Sequence, residues 1–238
     1  MQLHKFDQQH LEDVPAVIGV DEAGRGPLAG PVSAAAVYLD KRFYQSEWVL
    51  EYGSEINDSK QLKEEARERL FEAILQADEG LIHFASFMAD IDDIESLNIL
   101  GATRKAMANC IEQLQVLNVC PFTEPDEGSD WLFRESSGNT VARILVDGKP
   151  LKPFPYVHTA IVKGDGKSLA IAMASIIAKV TRDRYMQQQA ERYPEYGFTS
   201  NKGYGTKKHI EALKSHGPCK IHRPSFLNNI LSSSNESR

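Results

Sequence analysis

The stretch GVDEAGRGPLAGPV, Gly19 to Val32, decides how the chain is read. An apolar run, Ala16-Val17-Ile18-Gly19-Val20, passes directly into the adjacent acids Asp21 and Glu22. Gly24, Gly26, Pro27 and Gly30 then crowd around a single arginine, Arg25. The apolar run has the composition of a buried strand, and the glycines that follow exceed what a surface turn requires.

Working outward, Val32 to Leu39 reads as a partner strand, Leu62 to Ala77 as an amphipathic helix and Leu81 to Met88 as another strand. Ile91 to Val116 reads as a helix with a break near Gly101. Cys120 to Asn139, rich in Pro, Gly, Ser and acids, reads as an inserted loop in which Trp131-Leu132-Phe133 is the one part able to dock on something. Ala142 to Val146 and Val157 to Val162 read as strands. Ser168 to Glu191 reads as a helix whose first half carries Ala170, Ala172, Ala174, Ser175 and Ala178, small enough to pack closely on a sheet. A final helical segment runs from about Lys207 to Leu231. Strands interleaved with long helices predict an α/β domain.

Three separate strands lead into acid: Asp21-Glu22 after the first, Asp147 in ILVDGK, and Asp165 in VKGDGKS just before the long helix. Strand ends line the functional crevice of open α/β sheets, and carboxylates gathered there repel unless a cation neutralises them. Oxygen donors of this kind suit Mg²⁺ or Mn²⁺ and phosphoryl-transfer chemistry. Taken singly, each acid also fits a plain turn: Asp147-Gly148 is an ordinary turn dipeptide and Asp165 sits between glycines. Jointly, beside an arginine and glycines, they favour a site. A nucleotide-binding P-loop is excluded because its first glycine would fall at Ile161. Ser175 and Lys179 share a helix face, yet no oxyanion-forming loop accompanies them.

The 238 residues, 42% of them hydrophobic, suffice for one large domain and exclude a disordered chain. The longest apolar run, Leu169 to Ala178, is half a membrane span and is bracketed by Lys167 and Lys179, so a soluble cytoplasmic protein is expected. Cys110, Cys120 and Cys219 form no CxxC, which argues against a disulfide framework or a zinc ribbon. The net charge of -6 speaks against nucleic acid on its face. Its distribution does not: Lys202, Lys207, Lys208, Lys214, Lys220 and Arg223 stand against only Glu211, with His209, His216 and His222 interleaved. By itself that segment is equally a solvated helix face.

DEAGRGPLAGPV resembles the N-terminal signature of the type 2 ribonucleases H, the ribonuclease HII family. The resemblance continues in order through INDSKQL, ESLNIL, LVDGK, VKGDGKS, ASIIAKVTRDR, YPEYGF, NKGYGT and IHRPSF, from about Val17 to Phe226. It implies an α/β ribonuclease H-like fold, a mixed central sheet flanked by helices, with a helical C-terminal segment. The expected division is an N-terminal extension (1–15), a catalytic domain (16–198, with 120–140 inserted), a substrate-binding segment (199–231) and a disordered tail (232–238). It further implies cleavage of RNA in RNA/DNA hybrids and at single ribonucleotides in duplex DNA, giving 5′-phosphate and 3′-hydroxyl ends. Asp21, Glu22, Asp147 and Asp165 correspond to the family's catalytic, metal-binding acids, holding two Mg²⁺ or Mn²⁺ ions. Gly24, Arg25 and Gly26 correspond to the loop that reads the ribose, its backbone amides and carbonyls facing the 2′-hydroxyl; Arg25 either holds a phosphate or braces the loop. Tyr204 corresponds to the tyrosine on the sugar at the RNA-to-DNA junction, and Lys60, Lys202 and Arg223 are expected among the substrate contacts. Asp183 is expected in a structural pairing. A monomer is expected, with no membrane; a replication clamp is a further partner class that no motif specifies. The chain departs from the family in its long 120–140 loop and in Gly166. A metal-free nucleic-acid-binding module is the alternative, and it has no need of acids at three strand ends.

Overall fold

The computed structural model describes residues 3–56, 61–77, 80–116 and 142–232. In chain order the elements are helix α1 (Leu3–Gln8), strands β1 (Ala16–Ala23) and β2 (Val32–Asp40), helices α2 (Glu47–Tyr52) and α3 (Glu64–Leu75), strand β3 (Ile82–Ala89), helix α4 (Ile91–Val116) and strands β4 (Arg143–Asp147) and β5 (Thr159–Ile161). Helix α5 (Leu169–Arg192) and the C-terminal helices α6 (Phe198–Asn201), α7 (Lys207–His216) and α8 (Pro224–Ser232) follow. Lys60, the 120–140 insertion and the tail at 233–238 lie outside the described residues.

The sheet order is β3-β2-β1-β4-β5, with β1 antiparallel to β2 and parallel to β4, so the sheet is mixed and β1 is central. Side chains alternate across it with a period of two. Val17, Val37 and Leu145 join a core with α5 and α3, while Ile18, Val20 and Val146 join a second core with Ala102, Ala106 and Met107 of α4. Helices therefore cover both faces of β1, which accounts for its unbroken apolar start.

Helix α5 begins at Ser168, whose hydroxyl accepts from the Ile171 N–H at 3.2 Å. Its small residues lie buried against the sheet as their size predicts. The approach is so close that a Cβ on Gly19 would overlap the backbone of Ala170 and Ile171.

Several local features differ from the sequence reading. The C-terminal helix is two helices, because Gly217 adopts φ 74° and the chain turns before Pro224 restarts it. The break in α4 falls at Asn98 (φ 57°) and not at Gly101, since the Asn98 side-chain oxygen caps the restarted helix by accepting from the Leu100 and Gly101 N–H groups. The fifth strand is only Thr159–Ile161.

The N-terminal extension carries α1, which sequence periodicity does not reveal. Asp7 on it is buried, and its Oδ2 accepts from the Ala170 N–H at 2.9 Å and the Tyr44 hydroxyl at 3.1 Å, tying α1 to the first turn of α5. Burial pushes the Asp7 carboxyl up to about 6, against the opposing pull of bonds from Ser168, Ala170 and Tyr44. The unfolded chain loses that proton first, so stability falls as pH rises from the ordinary carboxylate range through 6. Between pH 4 and 7 the wild type should lose on the order of 2–3 kcal/mol relative to Asp7→Asn, while Asp7→Ala should be destabilised by about 1–2 kcal/mol through loss of the acceptor. Chemical denaturation at several pH values checks both.

Candidate active site

The register pairs Val20 of β1 with Val146 of β4, so the next residues, Asp21 and Asp147, emerge side by side at the same end of two parallel strands. The sheet pairing of β1 with β2 continues through Asp21, Glu22 and Ala23, so the first two acids belong to the strand and do not follow it. Asp147 Oδ1 accepts from the Gly164 N–H at 2.6 Å, which draws in the short 3₁₀ turn Gly164–Gly166 that carries the buried Asp165. That turn leads directly into α5. A side chain at Gly166 would meet nothing within 4 Å, so its departure from the family carries no packing consequence.

Asp21 is fully buried. Its Oδ1 accepts from the Glu22 N–H at 2.7 Å, and among the described residues its Oδ2 has no hydrogen-bond partner. Burial holds its carboxyl well above the usual range, the charges of Glu22 and Asp147 push it further, and a hydrogen bond from Ser175 of α5 opposes them. An orphaned, desolvated oxygen among like charges is what a cation would satisfy. The donors are all oxygen, as Mg²⁺ or Mn²⁺ requires. Among the described residues no three His, Cys, Asp or Glu side chains close into a ready-made cage. A hard cation commonly takes part of its shell from water and substrate oxygens and only part from protein carboxylates.

Beside the acids opens a cleft of about 540 Å³, lined by Glu22, the Gly24-Arg25-Gly26 backbone, Ile99, Lys179, Tyr204 and Phe226. Arg25 reaches back to Glu22, Nη1 to Oε1 at 3.1 Å, so in this state it braces the loop. Gly24 adopts φ 92°, and a Cβ there would overlap the Arg182 side chain. Tyr204 is 45% exposed, and its ring edge lies beside Gly26, 3.9 Å from where a Cβ on Gly26 would stand.

The predicted cations fare differently. Arg223 is fully buried beneath the loop, where its guanidinium donates to the carbonyls of Gly24, Arg25, Gly30 and Pro31. Lys202 is also buried, in a left-handed turn, with Nζ 3.5 Å from Glu64. The Arg223 guanidinium is thus engaged by loop carbonyls, and the Lys202 ammonium faces Glu64. Lys207, Lys208, Lys214 and Lys220 are exposed. Lys60 lies outside the described residues. Lys179, not foreseen as a contact, lines the cleft with its ammonium 2.6 Å from Asp183, which also lies 3.7 Å from Arg67. Asp183 is therefore a structural partner of cations, as expected; the Lys179/Asp183 spacing on one helix face was the available signal.

A histidine pair fixes the turn that carries Tyr204. His222 Nδ1 accepts from the Cys219 N–H at 2.9 Å, and His209 Nδ1 lies 2.9 Å from the Tyr204 carbonyl, to which it must donate. Two neutral tautomers follow, with His222 Nε2–H donating to His209 Nε2 across 2.9 Å. A proton added to either ring would bring two donors face to face.

The family model for ribonuclease HII matches residues 18–125 and 135–229. The chain belongs to the ribonuclease HII family. A ribonuclease HII of Caldicellulosiruptor bescii is 45% identical over 217 residues, covering 91% of this chain and 88% of the relative. The fold is shared with the ribonuclease H2 of Pyrococcus horikoshii OT3 (TM-score 0.59, 24% identity, 93% of this chain and 100% of that one). It is shared too with Bst-RNase HIII in complex with Mn²⁺ (TM-score 0.65, 18% identity, 96% and 73%). The protein is thus a type 2 ribonuclease H, a hydrolase of a divalent-metal-dependent family, and the ribonuclease H-like fold anticipated from the motifs is the observed one. Among the described residues no helix is long and apolar enough to cross a membrane.

Two outcomes test this ribonuclease HII site. Because burial and the charges of Glu22 and Asp147 disfavour the Asp21 carboxylate, Asp21→Asn should hold or raise the melting temperature in chelating buffer. Its cleavage should fall by at least about two orders of magnitude, since even outer-shell partners of a metal are worth 10–100-fold. Burial and the neighbouring His209 push His222 down to about 4. The unfolded chain therefore takes the proton first as pH falls, and stability is lost from about 6.5 down through 4. Urea titrations should show the wild type losing about 2–3 kcal/mol relative to His222→Gln across that window.

Proposed function

We propose that this ribonuclease hydrolyses the RNA strand of RNA/DNA hybrids and cuts at single ribonucleotides embedded in duplex DNA, leaving 5′-phosphate and 3′-hydroxyl ends. The observation that carries this reading is the orphaned Asp21 oxygen, beside Glu22 and Asp147, at the edge of a cleft walled by glycine backbone and one exposed tyrosine. Asp21, Glu22, Asp147 and Asp165 are assigned as the acids that hold two Mg²⁺ or Mn²⁺ ions. Such a pair of ions, when bound, supplies activation of a water for in-line attack and charge for the leaving 3′ oxygen.

The chain's own residues do the rest. Gly24-Arg25-Gly26 brings backbone rather than side chains to the minor groove, where the 2′-hydroxyl distinguishes RNA from DNA. Arg25 stays with Glu22 and steadies the loop. Lys179 supplies positive charge in the cleft wall, and the exposed lysines of α7 and the following turn track backbone phosphates, which makes affinity fall with salt. The segment 199–231 serves the substrate and 16–198 carries the chemistry. The coupling between them runs through the loop after β1, where Leu28 N–H donates to Gly203 and Arg223 N–H donates to Leu28.

Tyr204 is assigned to the deoxyribose just 3′ of the ribonucleotide, where a 2′-hydroxyl would crowd its ring. Tyr204→Ala should slow cleavage at a single embedded ribonucleotide by roughly tenfold to a hundredfold, the value of a stacking contact of about 1–3 kcal/mol, and should slow cleavage of a continuous hybrid much less. Tyr204→Phe should be mild. Single-turnover assays on the two labelled duplexes decide it, and equal loss on both would make Tyr204 a support of the site instead of a reader of the junction.

A further inference from the structure

Arg182 of α5 and Arg223 before α8 are 1% and 0% exposed, and both lie under the loop that follows β1. Arg182 donates to the carbonyls of Ala29, Pro31 and Lys202, each at 2.9 Å. Arg223 donates to the carbonyls of Gly24 at 2.6 Å, Arg25 at 3.0 Å and Gly30 at 2.7 and 2.8 Å. Among the described residues no carboxylate lies within ion-pair distance of either guanidinium. The two cations share one buried region, and their partners are peptide oxygens.

A trans peptide sets its C=O and N–H in opposite directions, and the peptides here are trans. Turning the Gly24 and Arg25 carbonyls down onto Arg223 therefore turns the Arg25 and Gly26 N–H groups up, into the cleft that these residues line. Among the described residues neither N–H has an acceptor. The same two carbonyls are taken up by Arg223, so at these two peptides it is the N–H groups that are left for the cleft. Each guanidinium bond also polarises its peptide and sharpens the N–H on the far side.

We propose that Arg182 and Arg223 are positioning residues for ribonucleotide discrimination, holding the Arg25 and Gly26 N–H groups as preformed donors to the 2′-hydroxyl oxygen and its adjoining phosphate. This rests on the assignment of the Gly24–Gly26 loop to ribose recognition. Burial and the Arg182 charge push the Arg223 guanidinium down to about 9, in keeping with a positive pair that an anion on the outer side of the loop relieves. Arg→Lys at either site keeps the charge but loses the planar fork that gathers several carbonyls at once.

The test is fluorescence anisotropy in chelating buffer with two labelled duplexes, one all-DNA and one with a single ribonucleotide. Wild type should prefer the ribonucleotide duplex, and Arg223→Lys should lose about tenfold of that preference while binding the all-DNA duplex as before. A folded Arg223→Lys that keeps the full preference overturns the inference, and so does one that loses affinity equally for both. Wild type without a preference would instead overturn the ribose-reading assignment itself. Should Arg223→Lys fail to fold, amide exchange in the wild type decides: Arg25 and Gly26 should exchange freely alone and become protected by the ribonucleotide duplex but not by all-DNA. Protection in the free protein, or none with the ribonucleotide, overturns it.

Discussion

Gly19 lacks a Cβ, and that lets α5 lie with its backbone against the central strand. The closeness fixes what the helix can deliver. Ser175 reaches Asp21, Lys179 enters the cleft wall and Arg182 reaches the carbonyls beyond Pro27. The 3₁₀ turn with Asp165 precedes the helix directly, so its position is set by the same contact. Any side chain at Gly19 would lift the helix and separate groups that lie on three different segments.

Two electrostatic imbalances of opposite sign occur in this arrangement. Asp21 is desolvated among acids and, among the described residues, lacks a partner for one oxygen, which points to a cation. Arg182 and Arg223 are desolvated among backbone carbonyls of the loop after β1, and the proposed consequence is that the Arg25 and Gly26 N–H groups face the cleft. Preorganised donors and charges of this kind need no rearrangement when a negatively charged strand arrives, which is where electrostatic catalysis draws its advantage. The histidine pair extends the same logic to the tyrosine turn, fixing the Tyr204 carbonyl through neutral tautomers.

Much of this was legible in the chain. An apolar run covered on both faces marks β1, small residues mark the packed half of α5, and acids at strand ends mark the cluster. What stayed hidden depends on contacts far apart in sequence. Arg223 sits among lysines and histidines and reads as a phosphate contact; only the fold, which lays it across residues nearly two hundred positions earlier, turns it into a scaffold for the loop. The His209–His222 bond and the Asp7 anchor are of the same type. The two helix errors are local. Gly217-Pro218 is a breaker that the basic periodicity masked. Asn98 bends α4 because its amide can cap the restarted helix, whereas Gly101 continues it.

The most direct test of the acidic cluster as a cation site is a calorimetric titration of Mn²⁺ into the nucleic-acid-free protein, wild type against Asp21→Asn at the same pH. Saturable binding by the wild type, weakened by more than about tenfold in the variant, is the expected result. Equal affinity in the two proteins would contradict it, because the buried Asp21 oxygen that lacks a partner among the described residues would then have nothing to do with the metal.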